Sequence, residues 1–145
     1  MPSTFDEKVG PITVAIDTSG SIGHEELAQF LSEVKLICEE VRPEKLDILY
    51  WDTRVAGHEV YSDAELANVV DVTEAKGGGG TEPSCVPKYM RKHNMTPECL
   101  IMLTDGYIGD QTRNDWSISS PIMWCIKGNN HFDNASVTGK VVHVE

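Results

Sequence analysis

ITVAIDTSGSIG, residues 12–23, is the stretch that decides the fold of this 145-residue chain. Its opening run, Ile12–Ile16, is almost wholly apolar and rich in β-branched side chains, which favours a buried strand. A polar turn that opens with Asp17 and carries Ser19 and Ser21 follows directly. In α/β proteins, ligands bind in the turns beyond the carboxyl ends of such strands.

The residues after this turn have the periodicity of an amphipathic helix. From Gly23 to about Val41, apolar side chains recur every three or four positions. Glu25 and Glu26 stand in the first turn, where the helix dipole favours negative charge, and Pro43 marks the end. The pattern therefore predicts a helix over this range.

Strand and helix patterns alternate through the rest of the chain. The predicted strands are Leu46–Trp51, Glu59–Tyr61 (short, and a candidate antiparallel edge), Cys99–Thr104, Pro121–Ile126 and Val141–Val144; the predicted helical segments are Ala64–Val70 and Ser84–His93. Pro83 and Pro87 fit only the entry of the last helix, and Tyr107–Ser120 has no helical pattern, so one crossover is expected to be a loop. The alternation predicts an α/β fold: a Rossmann-like, doubly wound, mainly parallel sheet with helices on both faces. No repeat or linker divides the chain, so we expect a short extension, 1–11, and one domain, 12–145.

Two predicted strands end in an aspartate, and hydroxyl residues accompany them. Asp17 and Asp105 would face one crevice if their strands are central neighbours in the sheet. Ser19 and Ser21 alternate after Asp17, and the glycine run Gly77–Gly80 leads into Thr81 on a loop that can approach closely. Two carboxylates and three hydroxyls form an all-oxygen site that suits Mg²⁺, with Mn²⁺ or Ca²⁺ as substitutes. The two carboxylates only balance the two positive charges of the ion, and neutral hydroxyls fill most of the remaining coordination shell. The ion therefore stays electrophilic and can accept a carboxylate from outside.

These motifs together closely resemble the metal-ion-dependent adhesion site of von Willebrand factor A (VWA) domains. The resemblance rests on IDTSGSI, GGGGT and LTDG in that order, and it extends from about Ile12 to Val144. More narrowly, FLSEV, the four-glycine loop, TDGY and PIMWCI resemble the VWA-like domain at the C-terminus of predicted metal-dependent peptidases in bacteria and phages. The resemblance implies that Ser19 and Ser21 bind the ion directly, with Thr81 and one or both aspartates contributing directly or through water.

The resemblance also implies a function. In VWA domains the remaining coordination position accepts a Glu or Asp from a protein partner, so we expect a non-catalytic, Mg²⁺-dependent protein-binding module. The alternative is a regulatory or substrate-presenting domain of a metallopeptidase whose catalytic part lies outside this chain. The chain departs from larger VWA domains by being shorter, with a helix missing around Gln111–Ser120. That departure puts in doubt the conformational relay that larger adhesion domains use.

Motifs of hydrolases and nucleotide-binding proteins are missing from the chain. His24-Glu25 and His58-Glu59 begin the zinc-peptidase pattern H-E-x-x-H, but no second histidine follows either pair. G-x-S-x-G, the P-loop and G-x-G-x-x-G also fail. Without a general base, metal-assisted hydrolysis by this domain is a minor alternative, and we expect no enzyme activity.

Charge and composition limit the partners and the compartment. Twelve Lys and Arg stand against 23 Asp and Glu, and the formal net charge of −11 argues against nucleic-acid or anionic-membrane partners. No secretory signal or membrane-spanning run is present. The four cysteines lie far apart without C-x-x-C spacing, so we expect buried thiols, no zinc site and a reduced, cytoplasmic protein.

Several further residues lie close in sequence to the predicted ligands, and their roles are open. Tyr107, Asp110, Asp115 and Trp116 follow the second aspartate, and they are either partner contacts or, as we prefer, a packed tryptophan with solvated acids. Glu82 is either a second-shell carboxylate or solvated. His24 is expected to cap its helix or face solvent rather than bind the metal.

Overall fold

A single mixed sheet organises the chain. The computed structural model describes residues 9–20, 22–62, 65, 80–129 and 131–144. Within these residues six strands form one sheet: β1 (Ile12–Asp17), β2 (Lys45–Trp51), β3 (Val55–Ser62), β4 (Cys99–Thr104), β5 (Ile122–Lys127) and β6 (Lys140–Val144). Two α-helices, α1 (His24–Val41) and α2 (Cys85–Lys92), accompany them, together with a short 3₁₀ turn at Asn134–Ser136.

The strand order is β3-β2-β1-β4-β5-β6, and it places β1 at the centre. β1 pairs in parallel with β2 on one side and with β4 on the other, so that Ile12 lies opposite both Leu46 and Cys99. β5 and β6 continue the parallel half, whereas β3 runs antiparallel to β2 as an edge strand. The order of the strands therefore reverses between β1 and β4, at the point where a doubly wound sheet binds its ligands.

Among the described residues, each face of the sheet packs against one α-helix and has its own hydrophobic core. On one face, Phe30, Val34 and Cys38 of α1 pack against side chains of β1, β2 and β4. On the other, Val86 and Met90 of α2 pack on the alternate side chains of the same strands. Because both faces are buried, the central strands are apolar at almost every position. The predicted fold, a mainly parallel sheet with helices on both faces, is confirmed.

Strand β3 is longer than the sequence suggested. The sequence predicts a strand over Glu59–Tyr61 only, whereas the strand extends from Val55 to Ser62 and includes Gly57. Its side chains are mostly exposed or half-buried, as an edge strand allows, so a glycine within it is tolerated. The antiparallel direction is as expected, and a register shift between Tyr50 and Trp51 precedes the last pair, Trp51 with Val55. The helical turn predicted at Ala64–Val70 lies outside the described residues, apart from position 65.

The connection from β4 to β5 contains no helix, as the sequence indicated. Trp116 takes the place of one by packing edge-on against Trp124 of β5, with 5.1 Å between the ring centroids. Ile108 and Gln111 are buried beside it in the same connection. Side chains of the loop thus cover this part of the sheet.

The remaining expectations about elements and thiols are largely met. Helix α2 begins after Ser84, so Pro87 falls in its first turn, where a proline is tolerated. All four cysteines are free, with Cys38 and Cys85 buried and the other two half-buried. No helix in the described part of the chain combines the length and the hydrophobicity that crossing a bilayer requires.

Candidate metal centre

Asp17 is the buried centre of the predicted site. It ends β1, at the reversal of strand order, and its side chain is fully buried. The backbone N–H of Ser19 donates to Oδ1 of Asp17 at 2.8 Å, and the Ser19 hydroxyl donates to the same oxygen at 2.6 Å. The aspartate thereby fixes the turn that follows its own strand.

Strand β4 contributes the second side of the site. The Thr104 hydroxyl donates to Oδ2 of Asp17 at 2.6 Å and accepts the N–H of Gly106 at 3.2 Å. Asp105 lies between Thr104 and Gly106 in sequence and is half-buried. Its Oδ1 accepts a hydrogen bond from the N–H of Tyr107 at 3.1 Å. Hydrogen bonds across the β1–β4 junction therefore hold the two aspartate turns together.

The two carboxylates are close enough to influence each other electrostatically. Burial raises the pKa of Asp17 above its ordinary value of 3.8, and the nearby Asp105 carboxylate adds to the rise. The hydrogen bonds from Ser19 and Thr104 act in the opposite direction and lower this pKa. A buried anion beside a second anion is an environment that a cation would stabilise.

Thr81 lies on a loop that is attached to the end of β2. The residue after it, Glu82, donates its N–H to the carbonyl oxygen of Asp52 at 2.7 Å. Before it, Gly80 lies so close to Thr53 that an added Cβ would be 3.2 Å from the threonine methyl. β2 in turn is joined to the Asp17 turn, because the N–H and hydroxyl of Thr18 both donate to the carbonyl oxygen of Trp51. Three neighbouring strand ends therefore lie at one edge of the sheet.

Asp52 belongs to this arrangement and was not predicted. It is buried, and its Oδ1 accepts the N–H groups of Thr53 at 2.6 Å and Arg54 at 3.2 Å. It therefore shapes the loop that receives the Thr81 segment. A signal was present in the sequence, since Asp52 directly follows an apolar strand just as Asp17 and Asp105 follow theirs.

The five predicted ligands have different structural outcomes. Asp17, Ser19 and Asp105 come together at the β1–β4 junction. Thr81 lies on the neighbouring loop, and within the described part of the chain its side chain makes no hydrogen bond. Ser21 and the first three glycines of Gly77–Gly80 lie outside the described residues.

The donor chemistry of this edge fits a hard divalent cation. The oxygens of the two aspartates and of Ser19 and Thr81 are the ligand types that Mg²⁺ prefers. A serine hydroxyl that donates its hydrogen to a carboxylate presents acceptor lone pairs, as a metal-binding hydroxyl must. Within the residues that the structure describes, no three His, Cys, Asp or Glu side chains form a metal-binding group. Two carboxylates supplemented by hydroxyls do not require one.

The residues around the site separate into packed and exposed ones. Trp116 is buried, which confirms the preferred interpretation of this residue. Tyr107 is 68% exposed and directly follows the Asp105-Gly106 turn, so an aromatic ring stands in solvent beside the site. Asp110 and Asp115 are exposed and accept hydrogen bonds within their own turns, from Thr112 and Ser117. Glu82 is exposed as well, and the side chain of His24 lies outside the described residues.

The strand order defines a doubly wound α/β domain whose switch point, between β1 and β4, carries the two aspartates. The chain matches the family described as "VWA-like domain (DUF2201)" over residues 12–145, and it belongs to that family.

Two solved structures are similar in fold. Proximal thread matrix protein 1 from the mussel byssus has 16% sequence identity and a TM-score of 0.63, covering 89% of this chain and 38% of that one. A von Willebrand factor type A protein from Catenulispora acidiphila has 15% identity and a TM-score of 0.61, covering 95% of this chain and 39% of that one. The chain thus spans about two fifths of the length of either structure, and the likeness concerns the fold. A search of the curated proteins finds no significant match.

Proposed function

We propose that this domain is a metal-ion-dependent protein-binding module. In it Mg²⁺ is held by Asp17, Ser19, Ser21, Thr81 and Asp105, and a partner protein offers an acidic side chain to the ion. The observation that carries the proposal is the fully buried Asp17 carboxylate beside Asp105 at the reversal of the strand order. The VWA-like family of the chain is consistent with a protein-interaction role.

The residues of the chain prepare the site before any partner arrives. Asp17 orients the Ser19 hydroxyl through a 2.6 Å hydrogen bond, and Thr104 holds the other oxygen of the same carboxylate. Both contacts are buried, so Asp17 and Ser19 are positioned in advance and need little ordering on binding. When bound, Mg²⁺ supplies an electrophilic position that a carboxylate can occupy.

The surroundings of the site support binding better than catalysis. A general base would have to lie within reach of a substrate at this edge. Asp17 has both oxygens engaged in internal hydrogen bonds, from Ser19 and Thr104. Tyr107 instead offers an exposed aromatic surface of the kind that anchors protein interfaces.

Calorimetric titration of Mn²⁺ and Mg²⁺ tests the metal site. Wild type should bind one ion, whereas Asp17→Asn and Ser19→Ala should bind at least tenfold more weakly because each removes a ligand or its orienting charge. Asp110→Asn is the matched control, since it makes the same chemical change on an exposed carboxylate outside the site. Equal binding by wild type and Asp17→Asn, or no binding by either, would reject the proposal.

A further inference from the structure

A cavity of about 490 Å³ opens beside the proposed metal centre, between α2 and the end of β2. Thr53 and Glu82 line it, and these residues flank Thr81 in space and in sequence. Its volume is in the range that holds a small ligand or a short peptide segment. A partner segment that extends from the metal centre past Thr81 would therefore reach this cavity.

The cavity is positively charged, although the whole chain is acidic. Arg54, Lys88 and Lys92 line it, against the single carboxylate of Glu82. These three cations are a quarter of the 12 Lys and Arg in a chain of formal net charge −11. Lys88 and Lys92 are four residues apart on α2 and so share one helix face. Within the described part of the chain, no ion pair occupies any of the three, in contrast to Lys45 and Arg91.

Two aromatic side chains also line the cavity and are held in place. Tyr89 and His93 lie against each other with ring centroids 4.2 Å apart. The Tyr89 hydroxyl is also hydrogen-bonded to Nδ1 of His58 on β3 at 2.8 Å. Aliphatic stems of acidic side chains can pack on such rings while their carboxylates reach the lysines.

We infer that this cavity, the α2 basic pocket (Arg54, Glu82, Lys88, Tyr89, Lys92 and His93), binds an acidic segment of the partner protein. The inference rests on the proposed function, because the segment would flank the carboxylate offered to the metal. Charge complementarity favours an acidic peptide, and its position next to Thr81 lets one partner chain occupy both sites. Basic residues here also offset the repulsion that an acidic partner meets from the rest of the surface.

Two synthetic heptapeptides test this assignment by NMR titration in saturating Mg²⁺. One is Glu-Glu-Gly-Asp-Gly-Glu-Glu, and the other has its glutamates replaced by glutamine, so that both retain the central aspartate for the metal. Wild type should bind the acidic peptide about tenfold more tightly. The double variant Lys88→Gln/Lys92→Gln should lose this preference. Lys35→Gln/Lys140→Gln, which removes two exposed charges elsewhere, should keep it.

The outcomes separate the pocket from the metal site. Equal affinity of wild type for the two peptides, or an unchanged preference in Lys88→Gln/Lys92→Gln, overturns the inference even if Mg²⁺ binds. A lysine-dependent preference that persists in EDTA and in Asp17→Asn, with no loss of affinity for either peptide, supports the pocket while rejecting the metal-dependent function. Inorganic pyrophosphate that displaces the acidic peptide and binds more tightly through the same lysines would reject the peptide and assign the pocket to phosphates.

Discussion

The Asp17 carboxylate affects the stability of the metal-free domain in two opposite ways. It is fully buried and accepts three hydrogen bonds from Ser19 and Thr104, yet its burial and the charge of Asp105 raise its pKa. The hydrogen bonds organise the turn, while the buried charge destabilises the metal-free domain. Such a compromise is typical of functional sites, where local stability is lower than the fold alone would allow.

Neutralising this residue should therefore stabilise the metal-free protein. The pKa of Asp17 is raised in the folded state. Its contribution to the free energy of unfolding is therefore fully present below the ordinary pKa of 3.8 and is lost as pH rises through the folded pKa. At pH 7 we expect Asp17→Asn in EDTA to unfold at higher urea concentration than wild type, with a difference that shrinks towards pH 3. Urea titrations across this range measure it. A lower midpoint for Asp17→Asn throughout would contradict the expectation.

Added metal should reverse that order of stability. A ligand at about one hundred times its Kd stabilises the folded state by about 2.7 kcal/mol. Wild type should gain this amount in Mg²⁺ or Mn²⁺ at that concentration, whereas Asp17→Asn, which binds at least tenfold more weakly, should gain at most about 1.4 kcal/mol. Thermal unfolding with and without the ion checks the prediction, and Asp110→Asn should behave like wild type.

Gly106 has a backbone conformation and surroundings that exclude a side chain. Its φ is 83°, and a Cβ there would be 2.8 Å from the ring of Phe132. Gly109 also has a positive φ, of 75°, but nothing lies within 4 Å of a Cβ at that position. We expect Gly106→Ala to cost about 3 kcal/mol of stability and Gly109→Ala about 1 kcal/mol. Equal losses in denaturant titrations would show that the close contact with Phe132 has no effect.

Hydrogen bonds connect β2, β3 and α2 at one corner of the domain. Asp47 of β2 is buried, and Nε2 of His58 on β3 lies 2.8 Å from its Oδ1. The other ring nitrogen of His58 bonds to Tyr89 of α2. This array positions both the edge strand and the helix that lines the α2 basic pocket.

Removing the histidine should destabilise this corner of the domain. His58→Ala leaves Asp47 with Lys45, whose ammonium is 3.7 Å away and half-exposed, as its only charged partner among the described residues. We expect a loss of about 2 kcal/mol, because a buried acceptor then lacks its partner. His143→Ala removes an exposed histidine that is hydrogen-bonded to Asn134 and lies edge-on to the ring of Phe132, and it should change stability by less than about 0.5 kcal/mol. Chemical denaturation of both variants provides the comparison.

At the scale of elements, the sequence predicted what local patterns specify. The runs around Ile12–Ile16 and Cys99–Thr104 are apolar throughout because both faces of a central parallel strand are buried. β3 was underestimated, since an edge strand has weak patterning and a glycine is harmless in it. The hydrogen bonds of His58 could not be predicted, because residues 47, 58 and 89 meet only through the fold and have no characteristic spacing.

The candidate site was predictable to a similar degree. Asp17, Ser19 and Asp105 follow from strand ends that a parallel sheet brings together, and the structure does bring them together. Asp52 was overlooked because it had no hydroxyl pattern after it, although it also follows a strand. The α2 basic pocket could not be predicted from composition, because a net charge of −11 gives no information about where Arg and Lys cluster in the fold.

Across the whole molecule, the thiols lie in environments that suppress their ionisation. Burial raises the pKa of Cys38 to about 11, of Cys85 to about 12 and of Cys125 to about 11, from an ordinary value of 9.0. At pH 8 the thiolate fraction of such groups falls about a hundredfold or more. We expect alkylation of Cys38, Cys85 and Cys125 to be slower in the folded domain than in the urea-unfolded chain by about this factor or more. Fast labelling of Cys38 in native conditions would contradict the packing described here.

The same thiols make the free energy of unfolding depend on pH in the alkaline range. The pKa values of Cys38 and Cys125 are raised in the folded state. Their contribution to the free energy of unfolding is therefore fully present below about pH 9 and is lost as pH rises through the folded pKa values of about 11. The free energy of unfolding should therefore decrease between pH 9 and pH 11. Replacing Cys38 and Cys125 together by alanine should reduce this dependence, as urea titrations at both pH values would show.

The central position of β1 has a consequence for the order of events in folding. Its pairing with β2 joins nearby parts of the chain, whereas the hydrogen bond between Thr104 and Asp17 spans 87 residues. Closing so long a loop is slow and entropically costly, so the crevice between β1 and β4 is expected to form late. An ion bound there would then act after the rate-limiting barrier. It would lengthen the lifetime of the folded domain by slowing unfolding, and it would leave the folding rate nearly unchanged.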